Sequence, residues 1–204
     1  MNFPSHVHPV IHHYVNTQIK VIRERIQIQP NTKLLDVGCG NGYFSYYFKK
    51  ICNVTGVDLS EYMLGMNPIQ QKYCMDARNL HFRDNSFDIV FCHDMLHHAD
   101  DTDAILKEMK RVASKYVVLV EPNRNNPLMF LLGLLMPSER QALKYSTRYL
   151  RKKVEDNGLK VIDSFAFGWM VPAITPTWML SISKMMDVRT IFGWENFILC
   201  EKQN

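Results

Sequence analysis

The 204-residue chain, 47% hydrophobic and 11% aromatic, is long enough to bury one large α/β core and short for two full domains. Its 24 basic and 20 acidic residues are spread along the length, so the net charge of +4 comes without the concentrated basic footprint that a phosphate backbone needs, and nucleic acid is disfavoured as a partner. Five cysteines (Cys39, Cys52, Cys74, Cys92, Cys200) form no CxxC pair and mostly fall in apolar runs, and the first residues lack a basic region followed by an apolar core, so buried thiols in a cytoplasmic chain are expected.

Residues 1–30 are rich in histidine (His6, His8, His12, His13). They run into an amphipathic helix with Ile11, Val15, Ile19, Ile22 and Ile26 at spacings of three and four, ended by Pro30. Lys33 to Val37 reads as a strand, Gly38 to Gly42 as a turn, and Phe44, Tyr47, Phe48 and Ile51 as the buried face of the next helix. A second strand, 53–57, stops at Asp58. Ser60 is placed to cap a short helix, and a third strand, 72–75, stops at Asp76. Asp84-Asn85-Ser86 marks a turn before a buried strand from Phe87 to Cys92. A helix from about 100 to 112 follows, acidic at its start and basic at its end, then a strand from 116 to 120, a helix from 146 to 156, a strand from 159 to 165 and a last strand from 196 to 200. This alternation predicts a mostly parallel sheet covered on both faces, with ligands at the carboxyl ends of its strands. That rule gathers Gly38–Gly42, Asp58, Asp76, Cys92–His98 and Glu121–Asn123 around one cleft.

Glycines at alternate positions let the backbone turn sharply and approach a ligand closely. A dinucleotide fingerprint wants glycine at position 43, where Tyr43 stands. The pattern Asp36-x-Gly38-x-Gly40-x-Gly42 instead resembles the first motif of the class I S-adenosylmethionine-dependent methyltransferases. Val57 to Leu64 is similar to that family's second motif. Asp76-Ala77, the strand 87–92, and Met95-Leu96-His97-His98 with Asp100 are similar to its third and fourth. The resemblance implies a single Rossmann-like domain over 1–204, a doubly wound, seven-stranded, mostly parallel sheet with the last strand antiparallel, and S-adenosylmethionine as cofactor.

It further implies that Asp58 takes the ribose hydroxyls, Asp76 the adenine amino group and the Ala77 amide a ring nitrogen, with Leu59 and Met63 packed on the adenosine. Asp36, Gly38, Gly40 and Gly42 would hold the methionine end, and Cys92 and His93 would line the methyl-transfer site. His93 is then the titratable group placed to see an acceptor, as a general base or as a group that only hydrogen-bonds the cofactor or backbone. The spacing His93-Asp94-Met95-Leu96-His97 is superficially similar to the zinc helix HExxH. Its acid is aspartate and the segment leaves a buried strand, so no metal is expected. The strand also lacks the Asn/Asp-Pro-Pro-aromatic tetrapeptide of amino-methylating nucleobase enzymes.

Two stretches, 124–145 and 166–192, read as apolar insertions. Leu128 to Met136 is nine residues without a charge and Ser164 to Ser183 is twenty, the second broken by Gly168, Pro172 and Pro176, and neither suits a membrane span. The plainer reading is a cap on the sheet, with Trp169, Met170, Trp178 and Met179 as core. The sharper one is that the insertions, with the N-terminal helix as lid, form an apolar acceptor pocket or a peripheral membrane-facing surface. The function expected is methyl transfer to a small hydrophobic acceptor. A non-catalytic cofactor-binding sensor or subunit, or a protein or RNA methyltransferase, are the alternatives, and oligomeric state is open.

Overall fold

The computed structural model describes residues 5–168, 175–181 and 189–203. Seven strands form one sheet in the order β3-β2-β1-β4-β5-β7-β6. They are β1 (Lys33–Val37), β2 (Asn53–Asp58), β3 (Lys72–Cys74), β4 (Phe87–His93), β5 (Ala113–Pro122), β6 (Leu159–Phe167) and β7 (Glu195–Lys202). The first five pair in parallel, and β7 runs antiparallel between β5 and β6. The expected fold is therefore the observed one.

Side chains alternate across the sheet, so its two faces feed two cores. One holds Leu35, Val37, Val90, Cys92 and Leu119 beneath α4 (Thr102–Val112) and α6 (Thr147–Asp156); the other holds Leu34, Phe91, Val118 and Phe197 beneath α1 (Pro9–Arg23) and α2 (Tyr43–Phe48). Burial on both faces explains why the central strands carry continuous apolar runs, Ile89–Cys92 and Val117–Val120, rather than an apolar residue at every second position. Caps fall where the sequence offers them: Ser60 accepts from the Met63 amide at the start of α3 (Glu61–Met66), and Asp101 and Ser146 do the same for α4 and α6.

Three expectations change. The first helix ends at Arg23, well before Pro30, although Ile26 beyond it is still buried. The first apolar insertion, in its plainer reading a cap packed on the sheet, forms a helix after Asn126, α5 (Pro127–Leu135), most of whose apolar side chains are exposed. Trp178, expected in the core, is 73% exposed. Residues 1–4 of the lid and residues 169–174 and 182–188 of the second insertion, with Trp169, Met170 and Pro172, lie outside the described residues. No described helix is long and apolar enough to cross a membrane.

Candidate active site

The turn after β1 is tied to β2 by its backbone: the Gly38 and Cys39 amides donate to the Val57 carbonyl at 2.8 and 3.0 Å. Asp58, at the end of β2, closes the tie. Its Oδ2 accepts from the Gly40 amide at 2.7 Å and its Oδ1 from the Ser60 amide at 2.8 Å, which fixes the carboxylate between two loops. Two of the glycines are needed for different reasons. Gly38 has φ +73° and no room for a Cβ, which would stand 2.5 Å from Met95 Cγ; Gly42, at φ +86°, would put one 2.3 Å from Asn67 Oδ1. Gly42 is thus required by a neighbour within the fold.

Two cavities open at the carboxyl edge of the sheet and meet at Gly38. The first, about 300 Å³, lies among Asp58, Leu59, Asp76, Ala77, Met95 and Ile105. Leu59 is 69% exposed at its mouth, an apolar side chain with nothing to cover. Asp76 is engaged: Arg78 Nε and Nη2 donate to its carboxylate at 3.0 and 2.6 Å, and these hydrogen bonds hold its pKa below the usual range.

The second cavity, about 380 Å³, is bounded by Asp36, Gly40, Met63, His93, Asp94 and Trp194, with Tyr14, Tyr43 and Phe44 completing an aromatic wall. Asp36 is buried and accepts from the Ser45 hydroxyl, and burial, helped by the charge of Asp58, pushes its pKa up to about 7. Tyr14, reaching over from α1, donates to Glu195 Oε1 at 2.7 Å and stands 2.9 Å from His93 Nε2. With the phenol proton committed to Glu195, the imidazole proton is assigned to Nε2, facing the Tyr14 oxygen. Phe44 stacks on the His93 ring with centroids 4.3 Å apart. Burial, and then His97, bring the His93 pKa down to about 3, so the ring is neutral at physiological pH and holds a captured proton poorly.

Behind this wall lies an acidic network. Glu121, fully buried, accepts the Leu96 amide at 2.8 Å and His97 Nδ1 at 2.7 Å, and His97 Nε2 lies 3.6 Å from Glu139. Burial works against the His97 imidazolium, but the Glu121 hydrogen bond and the surrounding carboxylates raise its pKa overall. Asp94 and Glu195 are both pushed up, first by burial and then by neighbouring carboxylates. Asp94 also adopts the left-handed φ of +47°. One oxygen of each, Asp94 Oδ1 and Glu195 Oε2, is buried without a hydrogen-bond partner. The two histidines of the HExxH-like spacing do not share a cluster: among the described residues His93 groups with Asp94 and Glu195, and His97 with either Asp94 and Glu121 or His98 and Glu139.

Residues 35–120 match the methyltransferase domain family. The structure superposes on a Thermotoga maritima protein described as an S-adenosylmethionine-dependent methyltransferase and possible histamine N-methyltransferase, with a TM-score of 0.73, 19% identity and coverage of 95% of this chain and 91% of that one. Residues 35–120 are thus similar to a methyltransferase domain, on a class I methyltransferase fold. Among curated proteins, the chain is 27% identical over 199 residues to the 2-methyl-6-phytyl-1,4-hydroquinone methyltransferase of Synechocystis, 85% of this chain and 62% of that one. It is 32% identical over 94 residues to phosphoethanolamine N-methyltransferase 1 of Arabidopsis thaliana, 41% of this chain and 19% of that one. The chain thus spans less than two thirds of these relatives' length.

The cavities bring together Asp36, Gly38, Gly40, Asp58, Leu59, Met63, Asp76, Ala77 and His93. Gly42 and Cys92 are not among their walls. Strand alternation turns Cys92 into the α4 core, fully buried, as His93 turns toward Phe44. The sequence reading missed Tyr14, Arg78, Trp194 and Glu195. Glu195 had a signal: an acid immediately before the 196–200 run, in an antiparallel last strand, stands at the edge where the parallel strands end.

Proposed function

We propose that this chain transfers the methyl group of S-adenosylmethionine to a small, largely apolar acceptor. The observation that carries the reading is the pair of cavities joined at Gly38, one under an exposed Leu59 with carboxylates at its rim, the other walled by aromatic rings and buried carboxylates. Such a cleft fits a nucleoside at one end and a cation at the other: Asp36 and Asp94 line the second cavity, and among the described residues no Lys or Arg does. When bound, the cofactor supplies an electrophilic methyl group on a sulfonium.

Asp58 would take the ribose hydroxyls with the lone pairs left free by Gly40 and Ser60. Asp76 and the Ala77 amide would read the adenine edge once Arg78 yields, and Leu59 and Met63 would cover the ring. Asp36 would face the charged methionine end and ionise more readily there. On the acceptor side, Phe44, Tyr14 and Trp194 exclude water and orient the nucleophile, which is most of what an in-line displacement asks of a protein. For a hydroxyl or amine acceptor the proton leaves as the new carbon bond forms. His93, neutral and of low basicity, is the poorer recipient, so we assign it to holding Tyr14 and the proton to Glu195 through the Tyr14 hydroxyl.

A second reading of the acceptor is favoured by Asp94 in the wall of the second cavity. Asp94, on that wall with Tyr14, Phe44 and Trp194, also suits an ammonium group held by charge and ring faces. The Synechocystis and Arabidopsis relatives, named for a hydroquinone and for phosphoethanolamine, represent the two acceptor types. Calorimetry with S-adenosylmethionine followed by product assay against a quinol and an amine series tests both. Failure to bind the cofactor overturns the reading, and tight binding without product from any acceptor favours a non-catalytic sensor or subunit.

A further inference from the structure

The outer face of α5 is unlike the rest of the surface. The helix carries no charge, and only one side of it is used inward, where Met129 packs with Ala142 and Trp194 and Gly133 lies against Leu143. The other side presents Leu128, Phe130, Leu131, Leu134 and Leu135, between 41% and 69% exposed. Ile191 and Phe192 extend this face, because Asn126 at the start of α5 donates its side-chain amide to the Phe192 carbonyl at 2.8 Å. A helix apolar all round is ordinarily buried, and an exposed apolar patch this continuous marks a contact surface.

The charges around it say with what. Between residues 123 and 154 there are seven basic residues and a single acid, Glu139, which turns inward toward His97. Arg151, Lys152 and Lys153 pair with Glu155, Asp156 and Asp103, so the charge available to a partner is that of Arg124, Arg140, Lys144 and Arg148. Arg124, Arg148 and Arg189 converge on one cleft of about 710 Å³ that also includes Ile191, beside the apolar face. Among the described residues no carboxylate lies within ion-pairing distance of Arg124 or Arg148, and Arg189 has only Asp163, at 3.6 Å.

We propose that this face docks the protein on an anionic phospholipid bilayer, with α5 lying in the interface and the arginine cleft receiving phosphate headgroups. Nine residues of helix, roughly 13 Å, are too short to cross a bilayer and suited to lying along it. The geometry also links the bilayer to the second cavity: α5 leaves the same sheet edge as the cavities, and Trp194, against which Met129 packs, is one of the cavity walls. An apolar acceptor dissolved in the bilayer then reaches the cavity without crossing water. That last clause rests on the methyl-transfer reading; the docking does not.

Co-sedimentation with vesicles of phosphatidylcholine alone, or mixed with phosphatidylserine, tests it without any assay of activity. The pelleted fraction is expected to rise with phosphatidylserine and fall with salt. A Leu131→Glu, Leu134→Glu variant is expected to stay in the supernatant with unchanged circular dichroism and unchanged cofactor affinity. Arg124→Ala with Arg148→Ala is expected to lose the preference for anionic vesicles, by about fivefold for each arginine. No sedimentation with either vesicle, or equal sedimentation of wild type and the Leu131/Leu134 variant, overturns the proposal. So does a wild-type dimer that ignores vesicles and becomes monomeric in that variant, since the face then belongs to a second copy of the chain.

Discussion

The first cavity draws its walls from residues 38 to 105, in strand order, whereas the second reaches from Tyr14 on the first helix to Trp194 before the last strand. The first is built at the ends of parallel strands, where a backbone turn and a carboxylate follow each strand, so its chemistry is written locally in the chain. The second is assembled from elements far apart in sequence, and its polar groups are buried, mutually coupled and incompletely satisfied. A site for an invariant cofactor is served by the first kind of construction. A site whose ligand differs between relatives is served by the second, in which walls can be exchanged without disturbing the sheet.

The sharpest way to break the contrast is at Asp58. Its carboxylate is a ligand candidate and the clamp on the Gly40 and Ser60 amides, so Asp58→Ala removes charge-assisted hydrogen bonds to both loops as well as those proposed to the ribose. At about 1.5 to 3 kcal/mol for each such bond, cofactor affinity is expected to fall by at least a hundredfold. Calorimetry that returned wild-type affinity would remove Asp58 from the site. On the acceptor side, Tyr14→Phe deletes the donor to Glu195 and leaves that oxygen buried and unpaired beside its already orphaned partner. A drop in kcat of about 10- to 100-fold, with cofactor Kd nearly unchanged, is expected if the proton leaves this way. Equal loss of cofactor binding would show that the two halves of the cleft are not separable.

That separation also explains what was legible in the sequence. The strands and their order could be read because apolar runs, caps and strand-end acids report on their own neighbourhoods; Ser60 caps its helix as its type and place suggest. Tyr14 could be placed on a helix but not aimed, since nothing local says which strand end it meets. Arg78 was missed because two residues after Asp76 it looks like an ordinary surface charge, and only the turn folds it back. Cys92 and His93 were assigned together, yet a strand sends neighbours to opposite faces and one of the two had to leave the site. The apolar composition of α5 argued for burial, and its exposure follows from where β5 delivers it.

A smaller effect, with a definite sign, concerns Asp36. Its pKa stands near 7 in the fold against 3.8 for the free side chain, through burial first and Asp58 second. The folded state therefore holds this proton more tightly than the unfolded chain, so the stability it contributes is full below about pH 4 and is lost as pH rises toward 7. A cationic ligand favours the ionised form, so affinity for S-adenosylmethionine is expected to rise between about pH 6 and about pH 8 and then level off. Asp36→Asn should flatten that rise in a calorimetric pH series. A wild-type profile without a rise would mean that Asp36 does not face the cation.

The smallest expected effect decides whether the first cavity is as ready for its ligand as its local construction suggests. Arg78 now occupies the carboxylate of Asp76 that the adenine amino group would need. The pair is open to solvent, so its strength is modest and easily exchanged. Removing the guanidinium in Arg78→Ala is expected to tighten cofactor binding by only about threefold, by sparing the cost of breaking the pair, and to make the affinity less sensitive to salt. Asp76→Asn, which keeps an acceptor oxygen and loses the charge, should weaken the Arg78 contact while retaining a bond to the adenine edge, and so fall near wild type. If instead Arg78→Ala weakens binding and Asp76→Asn weakens it equally, the ion pair itself shapes the adenine pocket. Its two members then form a single wall that the ligand meets closed.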